Sequence, residues 1–334
     1  MKAPRPLRRP ALLFVILSFA LAGAVGATDE PKAGAEKSSP KIAKGPLSFD
    51  PKPGDAFIED VEGCNPALTM VWISGGKFTM GNDKTPAELV KIFGDKESSF
   101  AKEYPAHEVE LDGFWMATYM VTNQQFKRFD PKHTNGRGPD QELDAVPVLQ
   151  VSWADANAFC EWLSKRSGKH YRLPTEAQYE YACRAGSTTL FPWGDDMNDG
   201  VKYANVADQK CRREYPVVTE SSKKAKLTLF EFDDGYTYAA PVGQFKPNAF
   251  GLYDMVGNAY SWCSDYWDAD YYKKSPKRNP QGPETGTARS ARCGAWMIHP
   301  VGSRSAARNF APPGVRRPFL GFRVVISPAA DAVK

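Results

Sequence analysis

The stretch GLYDMVGNAYSWCSDYW, residues 251 to 267, sets two glycines, two aspartates and an asparagine among aromatic rings. Glycine lets backbone carbonyls turn inward, and carboxylate plus carbonyl oxygens are the donors that a hard cation such as Ca²⁺ prefers. The same residues also suit an irregular loop pinned by its own aromatics, and they fit neither a regular helix nor a cleanly alternating strand. Six cysteines, Cys64, Cys160, Cys183, Cys211, Cys263 and Cys293, are enough for three disulfides or for soft-metal chemistry, and their pairing stays open at this level. The four histidines, His107, His133, His170 and His299, have no metal-ligand spacing, so no zinc site is expected. No Ser-His-Asp order and no phosphate-binding glycine loop occurs.

Short helices and turns must position these groups. TPAELVKIFG reads as a helix with Thr85 as its cap, Pro86 in its first turn, Glu88 closing a capping box and Gly94 ending it. VSWADANAFCEWLSKRSG puts Ala156, Phe159, Cys160 and Leu163 at helical spacing between Ser152 and Gly168. LPTEAQYEYACRAG repeats the pattern, with Thr175 capped by Gln178 and a stop at Gly186. MVWISGGKFTMG predicts a hairpin turning at Gly75 and Gly76. Regular structure is otherwise sparse, and long ordered loops call for an anchor such as a metal or disulfides.

The chain begins with basic residues, an apolar run from Ala11 to about Ala22 and a small-residue site ending at Ala27, the pattern of a cleaved signal peptide over residues 1–27. The run falls short of the roughly 18 apolar residues a membrane span needs, so a periplasmic or secreted protein is expected. Lys2, Arg5, Arg8 and Arg9 leave with the leader; removing those four from 43 basic residues leaves 39, against 39 acidic. A balanced charge gives no bulk attraction to nucleic acid or anionic membrane. Residues 28–55, rich in proline and polar side chains, read as a flexible linker, residues 56–327 as one domain and 328–334 as a tail.

Five stretches in order, GGKFTMG, YRLPTEAQYEYACRAG, FPWG, GLYDMVGNAYSWCSDYW and SRSAARN with LGFRVV, resemble the formylglycine-generating enzyme family, also called sulfatase-modifying factors. The resemblance implies an α+β fold of the C-type-lectin-like kind, low in regular secondary structure and long in ordered loops. It also implies calcium. One site would use the Asn205 side chain, the Val206 carbonyl, the Asp234 carboxylate and the Tyr236 carbonyl, although Asn205 and Asp234 are also plain turn formers. A second would use Asp254 with the carbonyls of Gly257 and Ala259, Ser261 standing where the family has a glutamate.

Active members of the family oxidise a cysteine of a sulfatase peptide to formylglycine with O₂ and a copper ion on two thiolates. Here Ile298 stands at the first copper position, and the shortened HPVGS holds no second cysteine. Ala295 replaces a family serine and Cys293 a family glycine, while Trp296, His299, Arg304 and Arg308 match the family pocket. Cys160 and Cys183 match family disulfide cysteines whose partner positions are Val324 and Ser305 here, so those bridges are not expected.

Copper is therefore not expected, calcium is, and the chain is expected to bind an exported protein or peptide, a sulfatase among the options. Binding would use a groove of Trp262, Trp296, His299, Arg304 and Arg308, in which the two arginines could fix a carboxylate or equally serve as internal ion-pair partners. The alternatives are a divergent oxidoreductase acting through Tyr260, Cys293 or His299, or a thiolate pair of Cys263 and Cys293, and a structural envelope protein.

Overall fold

The computed structural model describes residues 41–42, 51–136 and 139–327, all within one unit, Pro40–Lys334. The expected signal peptide and the tail at 328–334 lie outside the described residues. Lys41–Ile42, inside the stretch read as a flexible linker, instead forms a strand pairing in parallel with Asp55 and Ala56, so the sheet begins earlier than expected.

Three helices follow their caps. Thr85 accepts from the Glu88 amide and opens the helix Pro86–Phe93, which Gly94 closes in the left-handed conformation. Ser152 and Gly168 bound Trp153–Ser167 in the same way. Thr175 and Gln178 form the capping box of Glu176–Arg184, but the left-handed stop falls on Ala185 at φ 47°, one residue before the expected glycine.

Among the described residues, strands build sheets of six, four and two members. The expected hairpin at Gly75 and Gly76 does not form. Leu68–Ile73 pairs with Asp55–Glu59 and Phe114–Ala117 in the six-stranded sheet, whereas Gly76–Met80 pairs with His107–Leu111 in the two-stranded one. A methyl on Gly75 would lie 2.4 Å from the Leu111 carbonyl, so glycine allows the chain to cross there and leave one sheet for another.

The aromatic loop also contains more order than its pattern suggests. Tyr260–Tyr266 is a strand inside the four-stranded sheet, between Arg289–Arg292 and the parallel strand Leu320–Phe322. Its first four residues are all buried, which removes the in-out alternation that marks a half-exposed strand. Three apolar clusters fill the interior; in one of them Phe126 and Phe159 stack at 5.6 Å with Phe322 against both.

Candidate functional site

The residues expected to line a ligand groove are mostly interior. Trp262 is fully buried and its indole donates to the Val151 carbonyl at 3.0 Å. Trp296 is fully buried too, donates to the Pro318 carbonyl at 3.1 Å and packs against the rings of Tyr215 and Tyr238. Arg304 grips both oxygens of Glu103 at 2.8 and 2.7 Å, with the Phe93 and Phe100 rings about it. Arg308 grips Glu176 at 2.7 and 2.9 Å between Trp267 and Tyr272. These four side chains are engaged within the fold, and for Arg304 and Arg308 that is the internal ion-pair role the sequence left open.

The missing partners explain why. Glu176 and Glu180 stand four apart on the helix Glu176–Arg184 and both face inward. Arg292 bridges them, donating to Glu176 at 3.0 Å and to Glu180 at 2.7 Å, and Arg184 binds Glu180 from its own helix. Burial alone would raise the Glu176 pKa, but the guanidiniums of Arg308 and Arg292 outweigh it and hold the carboxyl at about 2. Two glutamates at i, i+4 on a helix whose other positions are largely apolar were the available signal in the sequence.

Ile298, which the resemblance sets at a copper position, presents an alkyl group. A methyl placed on Gly302 would lie 2.6 Å from Ile298 Cγ2 and 3.6 Å from the Tyr260 hydroxyl, which brings Ile298 and Tyr260 to one spot. His299, which follows Ile298, is buried with its Nδ1 lacking a hydrogen-bond partner, and burial followed by the charge of Arg212 lowers its pKa to about 4. It is a neutral imidazole at neutral pH.

Neither cysteine offers a thiolate. Cys293 is buried at φ 102°, its sulfur 3.2 Å from the Gly257 carbonyl and 3.5 Å from that of Asp254, and burial pushes its pKa up to about 12. Cys263 is likewise buried, with its pKa well above the usual thiol range. All six cysteines are buried and unbridged, an environment that disfavours the thiolate form which either a reactive Cys293 or a Cys263–Cys293 metal pair would need.

The residues of the first expected cation set lie on two neighbouring loops, and the Val206 carbonyl accepts the Asp208 amide at 2.7 Å. Asp234 accepts the amides of Val206 and Tyr236, each at 2.9 Å, and Asn205 donates to the Tyr238 carbonyl while its own Oδ1 is buried without a partner. Asp208, absent from the expectation, accepts the Asp234 amide at 2.5 Å and caps the helix Gln209–Glu214. Burial, then the neighbouring charge of Asp208, raises the Asp234 pKa to about 8. An orphaned amide oxygen beside two mutually repelling carboxylates fits a hard cation. Among the described residues no three His, Cys, Asp or Glu side chains converge on a metal position, so carbonyl and amide oxygens would have to complete the shell.

The second set fits poorly. Asp254 Oδ1 and Ser261 Oγ are buried without partners, but the Gly257 carbonyl already accepts the Cys293 thiol, and Asp254 is the one carboxylate of that set. Burial moves the Asp254 pKa up to about 6. The two loops are nonetheless packed together: Asn258 donates to the Asn205 carbonyl at 2.7 Å, and a methyl on Gly257 would lie 2.2 Å from that oxygen.

Short helices, small twisted sheets and long loops held by buried ion pairs define a C-type-lectin-like domain of the formylglycine-generating-enzyme type. Residues 59–328 match the sulfatase-modifying factor enzyme 1-like domain, and the chain belongs to that family. It is 32% identical to the formylglycine-generating enzyme of Bos taurus, over 78% of this chain and 75% of the relative, and 30% identical to that of Thermomonospora curvata, over 78% and 94%. Among solved structures it resembles PvdO from Pseudomonas aeruginosa, with a TM-score of 0.64 at 29% identity over 83% of this chain and 100% of the other. Treponema denticola variable protein 1 shares the fold at a TM-score of 0.63 and 22% identity, over 82% and 99%.

Proposed function

We propose that this chain is an exported sulfatase-modifying-factor-like protein that binds a peptide segment of an exported protein, such as a sulfatase, without oxidising a cysteine through copper. One observation carries the reading: Ile298 stands where the resemblance calls for the first copper thiolate, HPVGS supplies no second, and all six cysteines of the chain are buried. Cu(I) needs soft, deprotonated ligands, and an isoleucine side chain supplies none.

Recognition would rest on the partly exposed Ile298, Val301 and Gly302, with the buried Tyr260 and the buried, neutral His299 beside them. Arg304 and Arg308 hold that segment from beneath through Glu103 and Glu176. When bound, calcium would add a fixed positive charge that neutralises the paired carboxylates. Asn205, Val206, Asp208, Asp234 and Tyr236 would hold it, tying the loop at 205–208 to the loop at 234–236.

Incubation with a peptide carrying a CxPxR core, copper and O₂ should leave the peptide mass unchanged. A copper-dependent loss of about 18 mass units, the thiol-to-aldehyde change, would overturn the reading. Export is supported by the charged, apolar and small-residue order of residues 1–27. Intact-mass analysis of exported protein should find a first residue near Thr28, and retention of Met1 there would refute export by cleavage. Among the described residues, no helix is long and apolar enough to cross a membrane.

A further inference from the structure

A cavity of about 350 Å³ opens where the strand Gly76–Met80 meets the end of the helix Glu176–Arg184, and neither the copper position nor the cation loops contribute to it. That volume lies within the range of small-ligand pockets. Three rings line it, Phe78, Tyr181 and Phe250, with centroids 5.3 Å apart for Phe78 and Tyr181 and 5.6 Å for Tyr181 and Phe250. The Tyr181 hydroxyl is spent on the Ser74 carbonyl at 3.0 Å, so the ring rather than the hydroxyl is what Tyr181 offers a ligand.

Arg184 supplies the charge. It is only 8% exposed, and its hydrogen bonds are uneven: Nε and Nη2 reach Glu180 at 3.0 and 2.8 Å and Nη2 reaches the Gly81 carbonyl at 2.7 Å, while Nη1 has only the Thr189 carbonyl at 3.5 Å. A contact of that length is weak, and a guanidinium has five hydrogens to place. Glu180 does not neutralise Arg184 alone, because its other oxygen takes Arg292 at 2.7 Å. The buried cluster sets Arg184, Arg292 and Arg308 against Glu176 and Glu180, and the nearby Asp265 accepts the Glu176 amide rather than a guanidinium. Three guanidiniums thus share the two glutamates, and Arg184 has the weakest set of contacts at its Nη1.

Lys77 adds a second, exposed cation to the lining, in a long ion pair with Glu110 at 3.8 Å, and Asp83 adds an anion. A dianion such as phosphate would meet Asp83 without using the rings. A monoanion with an apolar body uses both features. We propose that this cavity binds a small aryl monocarboxylate, its ring on Phe78, Tyr181 and Phe250 and its carboxylate at Arg184 and Lys77. This site is independent of peptide recognition at Tyr260 and Ile298.

Titration calorimetry of the purified chain with phenylacetate, phenylacetamide and inorganic phosphate tests it. Phenylacetate should bind at one site, with the amide and phosphate at least about tenfold weaker. Phe250→Ala should weaken phenylacetate about tenfold, and Lys77→Gln, on an exposed side chain that the fold does not need, about threefold. Absence of phenylacetate binding, equal binding of phenylacetamide, or unchanged affinity in a Lys77→Gln protein that melts like the wild type would each overturn the proposal. Should Phe250→Ala fail to fold, the amide comparison and Lys77→Gln decide it.

Discussion

Arg304→Ala is expected to lower the unfolding free energy by about 3 to 5 kcal/mol, the usual result of removing one member of a buried, well-formed ion pair. The side chains of Arg304 and Glu103 are each 1% exposed and joined by two hydrogen bonds. Without the guanidinium, Glu103 keeps the Asn82 side-chain amide at 3.3 Å but loses the cation that holds both its oxygens. The packing of the arginine between Phe93 and Phe100 is lost as well. Urea unfolding of Arg304→Ala measures the loss. The double variant Arg304→Met with Glu103→Gln should recover most of it, because it removes both charges and refills the space. If Arg304→Ala unfolds like the wild type and instead weakens peptide binding, the arginine belongs to the ligand surface after all.

Calcium removal should give the second large change. An ion that binds only the folded state stabilises it by ~2.7 kcal/mol at a hundredfold excess over its dissociation constant. Without a cation, burial and the Asp208 charge make Asp234 hold its proton up to a pKa of about 8, and a divalent ion would displace that proton and stabilise both carboxylates. Adding a chelator should lower the melting temperature of the wild type, and excess Ca²⁺ should restore it. Asp234→Ala should make the melting curve insensitive to both additions. A wild-type curve unmoved by chelator would mean that Asn205, Val206, Asp208, Asp234 and Tyr236 hold no calcium.

What could be read from the sequence was local. Thr85 with Glu88, Ser152 with Gly168 and Thr175 with Gln178 sit within one or a few turns of the helices they bound, so their side-chain chemistry alone specifies those ends. The hairpin expectation failed because strand partners depend on distant chain: Leu68–Ile73 takes Phe114–Ala117 as a neighbour instead of Gly76–Met80. The arginines were found but not their acids, since Arg304 and Glu103 lie 201 residues apart and no local spacing links them. The resemblance named Asn205 and Asp234 but not Asp208, which accepts the Asp234 amide and caps a helix. It also located Asp254 and Gly257, but not the Cys293 thiol that engages the Gly257 carbonyl.

The unbridged cysteines have a consequence for where this fold can work. Cys64 and Cys160 lie in one apolar cluster, Cys183, Cys263 and Cys293 in another and Cys211 in the third, all sheltered from solvent. A fold held together without sulfur crosslinks is indifferent to the redox poise of its compartment while it stays closed. Glutathione has no bond to cut, and peroxide meets no exposed thiolate. Oxidised sulfur in this chain is then a record of opening, and the cluster in which it appears tells which part of the interior came apart.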